Sequence, residues 1–264
     1  MRILNFLFSR SKQEQDKPIR DKLKTRKDFE RVLAEDLDIM ETTKARMDTA
    51  KNINLYMYRS LSYSYILILQ SKYSVDAKID ELRDIYIKSM YYFLQAFNKR
   101  NPIYADILNY VSLGVLLNIP DNNFRQLIDY VKQMDKQAKP SGWTPDLLLW
   151  FMLNSRLKEQ EKLKYAETLA YPRLYNGLYK VIQAPNAAAA KDALNKYLDR
   201  WYNLNSDAPW YNSHLKDNCY RGYWAWEVAA VAKIMHIDDS DLKNNQYYPY
   251  DMVHWADNET TAKE

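Results

Sequence analysis

Glycine occurs four times in 264 residues, at Gly114, Gly142, Gly177 and Gly222, against a usual share of about 7 %. Tight β-hairpins need residues at positive φ, and loops that hug a phosphate need backbone without Cβ; both rely on glycine. Such scarcity argues against an all-β fold and against a nucleotide-binding α/β fold. The nine prolines fall mostly between segments of helical periodicity, where they separate helices. The expectation is an all-α, multi-helix fold: an amino-terminal helical bundle packed on a larger carboxy-terminal array of antiparallel helices, about ten or more helices in all.

The periodicity places a helix over 19–50 with Phe29, Leu33, Leu37, Met40 and Met47 along one stripe. A second runs over 53–73 through Tyr56, Leu61, Tyr65 and Leu69, and a third over 76–98, with Ser74 as its cap. The polar stretch Asn98–Pro102 is the best boundary in the chain. Beyond it, helices are expected at 103–117, at 122–136 and from a Thr144-Pro145 start towards Leu157. Others are expected at 162–183, at 187–202 after Pro185-Asn186, and at 214–236. In domains, this reads as an arm at 1–18, a helical domain at 19–100, a second at 101–255 and a disordered tail at 256–264. No repeat period is regular enough to mark a solenoid.

The single cysteine, Cys219, excludes an internal disulfide and suits a reducing compartment. The amino terminus, MRILNFLFSRSK, lacks the uninterrupted apolar run of a secretory signal. It reads as a frayed or docked arm, with a peripheral membrane anchor as the weaker alternative, and the expected location is cytoplasmic. The net charge of +4 conceals an asymmetry: residues 1–33 carry ten Lys/Arg against five Asp/Glu, whereas residues 199–264 carry six against eleven. Partner preference therefore follows the local balance rather than the total.

Catalytic motifs are absent. There is no GxGxxG, GxxxxGK[ST], GxSxG or HExxH. His214 and Cys219 stand five apart, but nothing near them in sequence offers an orienting group or an oxyanion hole. His236 beside Asp238 and Asp239, and His254 beside Asp251 and Asp257, read as packing or surface histidines. No catalytic residue, cofactor or metal is expected. Glu227, inside YWAWEVAAVA, must find a donor or reach water, because an unpaired buried carboxylate costs several kcal/mol. An Arg, a Lys or a Tyr hydroxyl within the chain is the favoured donor, with a partner contact as the alternative. Trp224, Val228, Val231 and Met235 share one helical face, which gives Trp224, Trp226 and Glu227 structural roles.

The 23 tyrosines divide into two groups. Tyr56, Tyr65, Tyr86 and Tyr110 stand at helical spacing and read as core. Trp210, Tyr211, Tyr247, Tyr248 and Tyr250 stand in loops beside Asp207, Asp238, Asp239, Asp241 and Asp251. Aromatic anchors among carboxylates suit a basic protein surface better than nucleic acid, whose phosphates the acids would repel. These ten residues are the candidate partner-binding set; plugging the end of a helical bundle is the competing role.

Longer stretches carry a resemblance. DAPWYNSH at 207–214, followed by YRGYWAWEVAAVAKIMHIDDSDLKNNQYYPYD at 220–251, closely resembles the carboxy-terminal domain of the PoNe immunity proteins. RDKLKTRKDFERVLAED at 20–36 and YSVDAKIDELRDIY at 73–86 are similar to the amino-terminal domain of the same family. LAYPRLYNGLYKVIQA at 169–184 and LDRWY at 198–202 also fit. The resemblance implies an all-helical, non-enzymatic bacterial protein that binds and blocks a cognate DNase toxin of PD-(D/E)xK type, often delivered by type VI or related secretion systems. It implies no contact residues. A helical adaptor unrelated to toxins is the rival that the residues alone leave open.

Overall fold

A computed structural model describes residues 18–96, 103–138 and 142–255, and among them every regular element is helical. The arm and tail expected at 1–18 and 256–264 lie outside the described residues, apart from Pro18. The ten α-helices among the described residues group into two compact units. Of the described residues, the first holds those up to Ala96 together with Asn212–Tyr223; the second holds those between Ile103 and Tyr211 and those from Trp224 to Trp255.

In the first unit, α1 (Arg26–Thr49), α2 (Leu55–Ser74) and α3 (Ile79–Ala96) follow one another through short turns. Short connections make sequential helices antiparallel neighbours, and α2 packs on both α1 and α3. Phe29 and Leu33, Leu61 and Leu69, and Leu82, Tyr86 and Phe93 fill the core between them. The start of α1 differs from the periodicity reading. Asp21 folds its carboxylate back onto the backbone N–H groups of Leu23 and Lys24, at 2.8 and 2.9 Å, making a turn where a helix was expected. Thr25 and Asp28 then form a reciprocal capping box that fixes Arg26 as the first helical residue. Buried positions of α1 end at Asp36, so Leu37, Met40 and Met47 of the expected stripe are only half-buried.

Ser74 is no cap for α3. It is the buried last residue of α2, and its hydroxyl donates to the Arg221 carbonyl at 2.9 Å. The chain turns instead through Asp76, whose φ is 79°. The Asp76 and Ala77 amides close back on the carbonyls of Tyr73 and Lys72, the paired bonds of a Schellman end. Asn118 and His236 end two later helices at φ 44° and 52° in the same way. A glycine-poor chain thus ends three helices on Asp, Asn and His, residues that tolerate the left-handed region better than most.

In the second unit, α4 (Tyr104–Leu116) is followed by α5 (Asp121–Gln133), which runs on as a π-turn through Met134–Ala138. Then come α6 (Leu147–Asn154), α7 (Pro172–Ile182), α8 (Ala187–Leu204), α9 (Trp226–Met235) and α10 (Tyr250–His254). The central element is α9, which packs on α4 above all and touches α6, α7, α8 and α10. Its run Val228–Ala232 is buried throughout, since small side chains let several helices approach at once.

Three expectations for this unit need correction. The cap of α6 is Asp146 rather than Thr144. Its carboxylate accepts from the Leu149 amide at 2.8 Å, the Ala170 amide at 2.7 Å and the Tyr104 hydroxyl at 2.8 Å. The helix expected at 162–183 begins only at Pro172, which takes its first turn, where a missing N–H costs nothing. The helix expected at 214–236 is confined to 226–235, leaving Trp224 just ahead of it.

Helices α7 and α8 meet at Gly177. A Cβ there would lie 2.3 Å from Cδ2 of Tyr197 and 3.0 Å from its Cγ, and that ring is buried. Gly177→Ala gains up to about 1 kcal/mol of helix propensity, but overpacking a rigid ring costs on the order of 1–3 kcal/mol. The variant is expected to be less stable than wild type in urea unfolding, although most Gly→Ala changes within a helix stabilise. Equal or greater stability would show that the Tyr197 ring can move aside.

Candidate partner-binding face

Five aromatic rings gather where α8 ends. Trp201, from the last turn of α8, stacks on Trp210 with centroids 5.4 Å apart and planes 18° from parallel. It also meets the Tyr247 ring at 5.5 Å. Tyr202, the next residue, stacks on Tyr247 at 5.4 Å and 4°, and on Tyr211 at 4.5 Å and 27°. Adjacent helical positions thus send two rings into one cluster, and the loops at 205–211 and 243–249 fold onto them. Trp201 is buried; Tyr202, Trp210, Tyr211 and Tyr247 are half-buried and keep an edge in water. Stacking of this kind contributes beyond area burial and leaves the rings rigid, which suits a recognition surface.

The expected carboxylates differ in exposure and in partners. Asp207 is exposed and pairs with Arg173 at 2.9 Å. Asp238 and Asp241 are exposed and share Lys191, at 2.9 and 3.2 Å. The bond from Lys191 holds the Asp238 carboxyl well below its ordinary range. Lys196 pairs with Asp192 on the same helix at 2.7 Å. The acidic excess counted along the sequence is therefore partly neutralised by cations of α7 and α8. Asp251 is exposed, while Tyr250 is half-buried with its ring 4.4 Å from that of His254.

Two of the expected contact residues have no surface to offer. Asp239 is 3 % exposed and Tyr248 is 2 % exposed. The Tyr248 hydroxyl donates to Asp239 at 2.6 Å, and His254 Nε2 lies 2.8 Å from the other carboxylate oxygen. This trio ties the 238–248 loop to α10 from inside. Replacing Asp238, Asp239 and Asp241 together with Asn would thus breach a buried network as well as strip surface charge. Sequence proximity alone did not separate the inward acid from its two outward neighbours.

Glu227 does find a donor inside the chain, but not one of the types expected. The Trp201 indole N–H donates to it at 2.6 Å, and no cation neutralises it there. Desolvation pushes its carboxyl up to about 7. Trp224 and Trp226 are buried with ring centroids 6.1 Å apart, and Tyr86 and Tyr110 are buried as expected. Tyr65 is half-buried, and Tyr56, expected in the core, is 76 % exposed. His214 has its Nδ1 2.9 Å from the Tyr223 hydroxyl, and Cys219 is exposed. Among the described residues no group of three or more His, Cys, Asp and Glu side chains is placed to hold a metal. No described helix is long and apolar enough to cross a membrane.

The comparisons with known proteins identify the class as immunity proteins. Residues 11–129 match the family described as PoNe immunity protein (PoNi), N-terminal, and residues 144–252 match PoNe immunity proteins (PoNi), C-terminal. The chain belongs to the PoNe immunity protein family. It is accordingly a non-enzymatic immunity protein against PoNe nuclease toxins. The crystal structure of protein PA2201 from Pseudomonas aeruginosa is similar in fold, with a TM-score of 0.67 over 93 % of each chain at 19 % sequence identity. No curated protein matches the chain.

Proposed function

We propose that this protein, acting in the cytoplasm, neutralises a DNase toxin of PD-(D/E)xK type by seating the aromatic face of its second unit on the toxin. Docking there occludes the toxin's active site or DNA-binding groove. The observation that carries the reading is the five-ring stack itself, with four half-exposed rings held rigid beside Asp207. A groove built to bind DNA is basic, so carboxylates such as Asp199, Asp207 and Asp251 favour encounter, while the aromatic anchors slow release.

Binding kinetics against the cognate nuclease test this at low and high salt. Trp210→Ala is expected to speed dissociation about 30-fold, the rate equivalent of about 2 kcal/mol for losing an anchor. Asp199→Asn with Asp207→Asn is expected to slow association at low salt and to change little at high salt. Melting curves control for folding. If Trp210→Ala binds and protects like wild type, the contact surface lies elsewhere.

One observation favours a second surface. At the tip of the α1–α2 hairpin, Ile53, Leu55 and Tyr56 are 46, 48 and 76 % exposed. Exposed apolar side chains grouped at one turn are another place among the described residues where a protein partner gains by covering them. Tyr56→Ala set beside Trp210→Ala decides between the two. A helical adaptor unrelated to toxins would bind several ligands and be indifferent to the nuclease.

A further inference from the structure

Glu227 connects the interior of the second unit to the proposed recognition face. Its carboxylate holds the indole N–H of Trp201 at 2.6 Å, and the ring of that indole stacks on Trp210 and meets Tyr247. Tyr247 in turn stacks on Tyr202, and Tyr202 on Tyr211. One part-buried hydrogen bond thus fixes the ring from which the other four are arranged. We propose that Glu227 is a protonation-controlled latch on the aromatic stack, holding it in the toxin-binding arrangement only while ionised.

A bond from N–H to a carboxylate is roughly twice as strong as one to a neutral acceptor, so protonation weakens the hold on Trp201. It also gives Glu227 an O–H to donate. Tyr197, one turn before Trp201 on α8, has a buried hydroxyl with no hydrogen-bond partner, and it interacts electrostatically with Glu227. In the proposed latch the protonated acid donates towards that hydroxyl, on the same helix as Trp201.

The groups facing Glu227 set where the change falls. They are Tyr104 on α4, Tyr175 on α7 and Tyr197 on α8, all neutral near pH 7 and all raised further by burial first. Asp146, at the start of α6, interacts with Tyr104 and Tyr175 in the same cluster, and α6 itself carries no titratable side chain. On α10, Tyr250 lies against the His254 ring, His254 is turned to Asp239, and Asp251 is exposed. No cation on these elements compensates Glu227, and its carboxyl titrates at about 7, within the range a cell visits.

The consequence for toxin capture rests on the proposed aromatic face; the latch itself is measurable without toxin. Near-ultraviolet circular dichroism of the full chain reports the stacked rings. Between about pH 6 and 8 the wild-type spectrum is expected to titrate with a midpoint near 7, whereas Glu227→Gln should hold the low-pH form throughout. A flat wild-type spectrum, or one that titrates identically in Glu227→Gln, overturns the latch. With the cognate nuclease, dissociation from wild type is expected to be about tenfold faster at the acid end, and fast at every pH for Glu227→Gln. A titrating spectrum with pH-independent release from a Trp210-dependent complex overturns the coupling to capture. If Trp210→Ala leaves toxin binding unchanged, the assignment of the face fails, and the spectra alone then decide the latch.

Discussion

Arg221→Ala is expected to destabilise the first unit by roughly 3–5 kcal/mol, the usual cost of stranding one member of a buried ion pair. Arg221 Nε and Nη2 donate to the two oxygens of Asp36 at 2.9 and 2.7 Å, a bidentate pair in which Asp36 is 2 % exposed. The same guanidinium donates from Nη1 to the Asn218 carbonyl at 2.8 Å, so it also shapes the segment that precedes it. Burial holds the Asp36 carboxyl above its ordinary range even with Arg221 in place. Its contribution to stability is therefore fullest below the unfolded pKa and is lost as pH rises through the folded one. Removing the arginine raises that pKa further, so the loss should be larger at pH 8 than at pH 5, in urea unfolding at both. Asp36→Leu with Arg221→Met should recover most of it, because an apolar pair of similar volume needs no compensation. A single variant as stable as wild type at pH 8 would mean that water reaches Asp36.

Glu227→Gln is expected to do the reverse and stabilise the protein at alkaline pH. Burial first, and no cation, shifts its carboxyl from an ordinary 4.5 to about 7. The folded state thus binds this proton more tightly than the unfolded state does. The stability it contributes is complete below about pH 4.5 and is lost as pH rises through about 7. At pH 8 the penalty amounts to up to about 3 kcal/mol, since one pKa unit corresponds to about 1.4 kcal/mol. Glutamine still accepts from the Trp201 indole and has no charge to desolvate, so the variant should unfold later than wild type at pH 8 and with little difference at pH 5. Equal stability at both would show that the carboxylate is solvated. A carboxylate that weakens the fold while holding the recognition face follows the common exchange of stability for function.

Helix content was legible in the sequence because it follows from periodicity and from the shortage of glycine, both local properties. Boundaries were legible where one residue acted on its neighbours: Asn186 caps α8, and His236 ends α9. They were lost where a distant contact intervened. The Tyr220–Ala225 stretch looks helical by spacing, yet Tyr220 packs on Phe29 and donates to Asp21, Arg221 clamps Asp36, and the Ala225 amide bonds the Tyr247 carbonyl. Such long-range bonds occupy the backbone and side chains that a helix would have used.

The candidate site divides in the same way. Composition alone marked the aromatics and acids near 207–211 and 238–251, and extended motifs carried the family. Which of them face water was settled by tertiary contacts at single residues. Asp238 and Asp239 are adjacent, yet one reaches Lys191 at the surface and the other is sealed under Tyr248 and His254. Tyr202 lies outside the marked set, but the 3.6-residue turn of α8 places it beside Trp201 and under Tyr211 and Tyr247. Sequence by itself determined that this chain is helical, carries no catalytic motif and resembles the PoNe immunity proteins, since those properties reside in residue types and their spacing. Only the tertiary structure decided which acids are paired, which rings stack and what Glu227 holds, because burial and hydrogen-bond partners depend on residues far apart in the chain.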